Sequence, residues 1–346
     1  LTAVIRSDLN LNAHADATIK ELGKELHCPF WGSFGNFLLI ALNFALLAAY
    51  IPSFSSILCS LCGNTVTPTA MICYASSGIA LLFLLASDLI VHVNKFFFIA
   101  LFSTLLLLIV FLLVRTPIAF VPQCVAHITL NDWTCLVPIV FTSFGLQGSI
   151  HSMTKFCQND RELIKNACFW GSLIPAIVYI VWTLAVLLIV ANTDAEFFQR
   201  MLVDTNIDVG ALVTVLSKAA ASKNIQIIVW FVSLFALLTS ILGVGLALLD
   251  IFQRREHFSK WLAVASIVFL PALVAAFVPN AFIKILNLAG IILATLAIIV
   301  PVILAFKMQA RGHLKCELLL KNKLVLFGVF VCGVAIITLG ILEQVG

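Results

Sequence analysis

The sequence predicts an all-α protein that crosses a membrane about nine times, and three observations predict it. Of the 346 residues, 62% are hydrophobic and 10% are charged, whereas a soluble globule carries about 25% charged residues to face water. The apolar residues gather into blocks of roughly twenty, the length at which a helix crosses the hydrocarbon core. No block holds an acid or base near its centre, as a cost of roughly 2.5–3.5 kcal/mol per such charge requires. A large soluble core does not account for nine charge-free blocks. Transmembrane β-strands would alternate apolar and polar residues, which "FFFIALFSTLLLLIVFLL" does not.

Residues 1–30 come first as a polar stretch with no apolar segment of the secretory type. Within it Ile19, Leu22 and Leu26 share a helical face, so a cytoplasmic tail with a short amphipathic helix on the membrane surface is expected. Three apolar blocks follow between 31 and 114, near 31–51, 67–87 and 95–114; five more lie between 133 and 305, near 133–151, 168–190, 225–249, 259–278 and 282–305; the last spans 323–343. Most links are short, as between packed helices. The exception, 191–224, mixes charges with helical spacing and reads either as one or two helices capping the outer face, acting as a gate, or as a solvated loop.

With nine spans the links alternate sides, and fifteen of the twenty Lys and Arg then fall on the side of the N-terminal tail. The positive-inside rule places that side in the cytoplasm and Glu343 to Gly346 outside. The net charge of +4 reflects this bias, with no basic patch of the kind that binds nucleic acid. The ten cysteines are scattered: Cys59 and Cys62 share a redox-type spacing, and Cys124 and Cys135 both face outward, so either pair is open to a disulfide. No zinc-type constellation emerges.

Polar residues within the spans carry the chemical information. Asn43 and Tyr50 lie on one face of the first span; Ser233, Thr239 and Ser240 lie in the sixth near Gly243 and Gly245; Asn287 and Gly290 lie in the eighth. Taken singly, each reads as close packing between membrane helices. "FTSFGLQGSIHS", residues 141–152, differs in density. Gly145 and Gly148 relax the backbone near the midplane, and a break there strands N–H and C=O groups that lipid cannot satisfy. The outer half-helix would aim the carbonyls of Phe141, Thr142, Ser143 and Phe144 at the gap, suited to an ammonium group. The inner half would offer N–H groups near Ser149 and Ile150 to an anion. The alternative is a continuous but flexible helix packed through its two glycines. As an enzyme motif the stretch fails: its serine and histidine do not form the G-x-S-x-G elbow, and no acidic metal-binding pair lies near the spans.

These residues resemble the aromatic amino acid permeases, tyrosine- and tryptophan-specific, within the amino acid–polyamine transporter superfamily. "VPIVFTSFGLQGSIHSM" at 137–153 is similar to their sixth helix, "GSLIPAIVYIVWTLAVL" at 171–187 to the next, and "ALLTSILGVGLALLDIF" at 236–252 to the eighth. "IVFLPALVAAFVPNAFIKILNLAGIILA" at 267–294 resembles the ninth and tenth, and "ALLAAYIPSFSSIL" at 45–58 the third. The tyrosine-specific branch is the nearer of the two. The resemblance implies a LeuT-like fold of two inverted five-helix repeats plus a final helix, in the plasma (inner) membrane, driving proton-coupled uptake of an aromatic amino acid. It implies no enzyme activity, no cofactor beyond the proton gradient, and no obligatory protein partner besides the lipid bilayer. The family's glycine-rich broken first helix has no counterpart here, so the chain is expected to lack the first two helices of the fold.

The expected site follows. The substrate ammonium meets the carbonyls of Phe141 to Phe144, its ring packs on Phe144 and Tyr50, and Gln147 or Ser143 bonds a tyrosine hydroxyl. Thr239 joins the site from the sixth span, Gly145 and Gly148 form the hinge, and His151 is the candidate proton carrier because it titrates in the right range. Two rival readings are a truncated, transport-inactive fragment of such a permease and a passive channel or scaffold.

Overall fold

The computed structural model describes residues 1–12, 18–63, 65–85, 87–115, 130–145, 150–203, 209–219, 223–253, 259–277, 282–310 and 322–345. Among them every regular element is helical. In chain order these are α1 (Thr2–Asn12), α2 (Ile19–Glu25), α3 (Pro29–Leu61), α4 (Pro68–Leu84), α5 (Ser87–Arg115), α6 (Leu130–Ser143), α7 (Ile150–Phe156) and α8 (Arg161–Thr193). They continue with α9 (Ala195–Val203), α10 (Val209–Ala219), α11 (Lys223–Gln253), α12 (Lys260–Phe277), α13 (Phe282–Ala294), α14 (Val300–Ala310) and α15 (Lys323–Val345). One π-helical turn, Thr295–Ile299, joins α13 to α14.

Each of the nine apolar blocks is largely helical among its described residues, as an all-α polytopic membrane protein requires. Six stretches are long and apolar enough to cross a membrane: Pro29–Leu61, Asp88–Phe111, Arg161–Thr193, Ile225–Gln253, Phe282–Ala310 and Lys323–Gln344. Helices α4 and α12, with 17 and 18 residues, sit at the short end of the crossing range. The remaining block is divided between α6 and α7. Large apolar side chains such as Phe96, Phe98 and Ile99 stand more than half exposed, the surface lipid solvates and water does not.

The chain forms two compact units. The first gathers Leu1–Leu42, His127–Ala176 and Leu286–Gly346; the second gathers Asn43–Ala126 and Ile177–Ile285. Neither is a continuous stretch, so the blocks between 31 and 114 and those between 133 and 305 both contribute to each. Long helices achieve this directly, since α3 and α8 each give one half to each unit.

In the first unit α15 packs against α6 and the π turn, while α1 packs against α7, α14 and the π turn. Glycines permit the approach of α15: a Cβ on Gly333 would meet Ile298, and one on Gly340 would meet Ile291. A small core joins Ala3, Ile150, Ile164 and Cys168. In the second unit α5 packs on α11, α4 on α12, and α10 on α11. Its core includes Ile57, Leu108, Val190 and Val229. Phe235 of α11 stacks on Phe231 at 4.1 Å and meets Phe97 of α5 edge-on at 4.7 Å, geometries that aromatic quadrupoles favour. The residues of 191–224 that are described form the helices α9 and α10, with the Asp194 carboxylate accepting from the Phe197 N–H at 2.9 Å to start α9.

Two expectations change. Of the stretch 1–30, α1 does not rest on a surface but is packed into the first unit, with Ile5 and Leu9 at 1% and 0% exposure. Its pattern is hard to read because Asp8 and Asn10, both at 0% exposure, are interleaved with those apolar residues and buried too. The second helix, α2, has the predicted apolar face, with Ile19 and Leu22 buried, but that face meets the chain itself. A capping box between Thr18 and Glu21 starts it, and Gly23 lies against the Gly32 backbone of α3. The cysteines differ as well. Cys59 and Cys62 are free thiols, the former buried and donating to the Val66 carbonyl at 3.2 Å. Cys124 and the side chain of Cys135 lie outside the described residues.

Candidate functional site

The segment expected to break begins in α6. Pro138 sits inside that helix, and Thr142, one turn on, donates its hydroxyl back to the Pro138 carbonyl at 2.8 Å. The helix then closes on itself. Phe144 N–H donates to the Phe141 carbonyl at 3.2 Å and Gly145 N–H to the Thr142 carbonyl at 3.1 Å, a tightened last turn. The next described helix begins at Ile150. Gln147 and Gly148 lie outside the described residues.

This ending refines the expected ammonium site. Two of its four carbonyls, those of Phe141 and Thr142, each accept one backbone hydrogen bond from the described residues of this turn. Phe141 and Phe144 are partly exposed and Ser143 is exposed, its hydroxyl donating to the Ile139 carbonyl at 3.2 Å. Gly145 is exposed, and a Cβ there would meet the Thr142 carbonyl at 3.1 Å and a Leu293 methyl at 3.2 Å. Beyond the break, α7 holds Ile150 at 1% exposure, with the Thr154 hydroxyl donating to the Ile150 carbonyl at 2.8 Å. His151 lies on α7, and its side chain is outside the described ones.

Helix α13 forms the wall beside α6. Gly290 lies so close to the Pro138 carbonyl that no Cβ fits between them. Thr142 makes a second, longer contact from its hydroxyl to the Leu286 carbonyl at 3.4 Å. The neighbouring residue, Asn287, is fully buried, and neither its amide oxygen nor its nitrogen has a hydrogen-bond partner among the described residues. Its oxygen lies about where a Cβ on Gly340 of α15 would touch it, at 3.0 Å. An amide buried without partners costs about 1–3 kcal/mol, which packing alone gives no reason to retain. The sequence places Asn287 and Gly290 in one span, but only the fold brings them to Pro138 and Thr142.

Tyr50 and Thr239 belong to the second unit, on α3 and α11, and are described there by themselves. Tyr50 is partly exposed, with its hydroxyl in electrostatic reach of Tyr179. The Thr239 hydroxyl donates to the Phe235 carbonyl of its own helix at 2.8 Å, so it is engaged in back-bonding. No cluster of His, Cys, Asp and Glu fit to hold a metal occurs among the described residues.

Comparison with known proteins gives a consistent picture. The model of the tryptophan/tyrosine permease family matches residues 1–340. The chain is 27% identical over 322 residues to tyrosine-specific transport system 1 of Haemophilus influenzae, covering 90% of this chain and 78% of that protein. It is 29% identical over 181 residues to a tryptophan-specific transport protein of Pseudomonas aeruginosa, covering 51% of this chain and 42% of that one. It is also 26% identical over 229 residues to glutamine transporter 2 of Aliivibrio fischeri, covering 65% and 55%. The chain thus spans about half the length of the second and third of these relatives.

Proposed function

The chain belongs to the tryptophan/tyrosine permease family, and from that premise we propose that it is a secondary active transporter importing an aromatic amino acid, tyrosine first. The observation that carries the reading is the end of α6 at Ser143, closed by Gly145 against α13 inside a block of apolar residues. A helix interrupted at membrane depth persists only where it faces protein, water or a ligand, and half-helix ends at the midplane are the common substrate sites of such transporters.

In this reading the substrate ammonium rests on the carbonyls of Ser143 and Phe144 and on those of Phe141 and Thr142. The negative end of the α6 dipole favours a cation there. The ring packs on Phe144. Gly145 is the hinge about which the segment moves between inward- and outward-open states, and Asn287 supplies an amide to the polar path between α6, α13 and α15. The protein lies in the inner membrane with its N-terminus inside and C-terminus outside, moves substrate without covalent chemistry, and draws its energy from the proton gradient through His151. Alternating access couples the two fluxes.

The test is flux in proteoliposomes with labelled tyrosine and an imposed pH gradient. Wild type is expected to concentrate tyrosine when the outside is acidic, Gly145→Val to insert but not transport, and His151→Ala to lose accumulation while keeping exchange. Normal uptake by Gly145→Val would sink the hinge. Because one relative is named a glutamine transporter, the substrate panel includes glutamine with tyrosine, tryptophan and phenylalanine; preference for glutamine would overturn the aromatic reading alone.

A further inference from the structure

Helix α1 carries five polar side chains between Arg6 and Asn12, and the structure uses three of them. Ser7 donates to the Val4 carbonyl at 2.9 Å, Asn12 to the Asp8 carbonyl at 2.8 Å, and Asp8 accepts two hydrogen bonds from Arg161. Arg6 and Asn10 remain. Arg6 is 7% exposed and Asn10 is 0% exposed. The Nη1 of Arg6 and both the Nδ2 and Oδ1 of Asn10 are buried without a partner among the described residues.

The two residues are four apart, so they stand one above the other on a single face of α1. That helix is packed against α7, α14 and the π turn Thr295–Ile299, and π turns recur at functional sites because they loosen the backbone ladder. Burial pulls the Arg6 pKa down to about 10, which still leaves the guanidinium charged at neutral pH. The acid two residues on, Asp8, is already held by Arg161. Among the described residues Arg6 has no counter-ion, and a buried charge left so is among the costliest features a fold can carry, so the face suits an occupant that brings one.

The chemistry of that occupant can be read from the free atoms. A guanidinium fork matches a carboxylate and engages it through two parallel hydrogen bonds. One helical turn away, the Asn10 amide offers one acceptor and one donor. A carboxylate with an ammonium on the adjacent carbon uses both groups together. We infer that Arg6 and Asn10 form a second binding site for the head group of an α-amino acid, with the carboxylate on Arg6 and the ammonium on the Asn10 oxygen. This rests on the transport reading, and with α7 and the α7–α8 turn on the inner side it makes α1 a station where substrate pauses as it leaves the break in α6 for the cytoplasm.

Equilibrium dialysis of labelled tyrosine against the purified full chain in lipid nanodiscs tests it. Wild type is expected to bind two tyrosines per chain. Arg6→Gln should weaken one site at least tenfold, Arg6→Lys should weaken it less, and Gly145→Val should remove the other site only. Asn10→Leu removes two unpaired polar atoms, so it is expected to fold. It should weaken the same site for tyrosine while leaving binding of 3-(4-hydroxyphenyl)propionate, which lacks the ammonium, within twofold. Two tyrosines bound unchanged by both Arg6→Gln and Asn10→Leu would overturn the site, as would a single wild-type site lost in Gly145→Val alone, which leaves the transport reading standing. A single site lost in Arg6→Gln but kept in Gly145→Val would support the α1 site and count against the one in α6. No binding by wild type would overturn both.

Discussion

Arg161 donates two hydrogen bonds, at 2.8 and 2.9 Å, to the carboxylate of Asp8, a residue 153 positions earlier in the chain. The carboxylate is fully buried and the guanidinium about a quarter exposed. The pair ties α1 to the first turn of α8, beside the small core of Ala3, Ile150, Ile164 and Cys168. Removing one partner of a buried pair leaves the other uncompensated and typically costs about 3–5 kcal/mol; with Arg161 partly solvated the lower end applies. Asp8→Asn is therefore expected to lower thermal stability by about 3 kcal/mol. Arg161→Lys keeps the charge but loses the fork, and should cost less. Unfolding of both variants in detergent, followed by circular dichroism, checks the order.

Two glycines of the first unit should respond differently to alanine. At Gly290 the obstacle is the Pro138 backbone, which cannot move without displacing α6. At Gly145 the side-chain obstacle is the end of Leu293, which can rotate away. Gly290→Ala is expected to destabilise by about 1–3 kcal/mol, the range for overpacking, and Gly145→Ala by well under half of that. Gly145→Val is the larger intrusion, and its effect should fall on flux. Comparing melting temperature with transport rate across the three variants separates a packing role from a hinge role.

Asn287 offers a sharper contrast. Both amide atoms are buried without partners among the described residues, so replacing the side chain by leucine removes the desolvation cost of an unpaired group, about 1–3 kcal/mol. Asn287→Leu should raise the melting temperature and lower tyrosine flux. A variant that is both stable and fully active would remove Asn287 from the transport path.

In the second unit, the ring of Phe83 on α4 lies where a side chain on Gly245 of α11 would have to go. Phe83 is 1% exposed. Gly245→Ala should destabilise by about 1–3 kcal/mol, and Phe83→Leu in the same chain should recover part of the loss. A double-mutant cycle on thermal unfolding measures the coupling; strict additivity would show that the two residues do not share the space.

Much of the architecture was legible from residue pattern. Nine apolar blocks became helices because a backbone in lipid must satisfy itself, and a helix does so within each segment. Helix α6 ends at Ser143, where glycine and polar residues begin to concentrate in the sequence. The residues proposed for the site were legible only along one helix. Thr142 and Phe144 share a segment, whereas Asn287, Gly290 and Leu293 reach that segment from some 145 residues away. An Asn or Gly in an apolar run reads equally well as ordinary packing.

Residues 1–30 show the limit most clearly. Their polarity read as a solvated tail, yet Arg6, Asp8 and Asn10 are buried. Hydropathy scores each side chain against bulk water or lipid and has no term for a carboxylate held by an arginine 153 residues away. The sequence by itself determined which segments become helices, since that follows from local backbone hydrogen bonding in an apolar solvent; their lengths it did not, the block near 31–51 being part of a helix of 33 residues. Only the tertiary structure decided which polar groups are paired and which two on α1 have no partner among the described residues, because pairing is set by what the fold brings within about 3 Å.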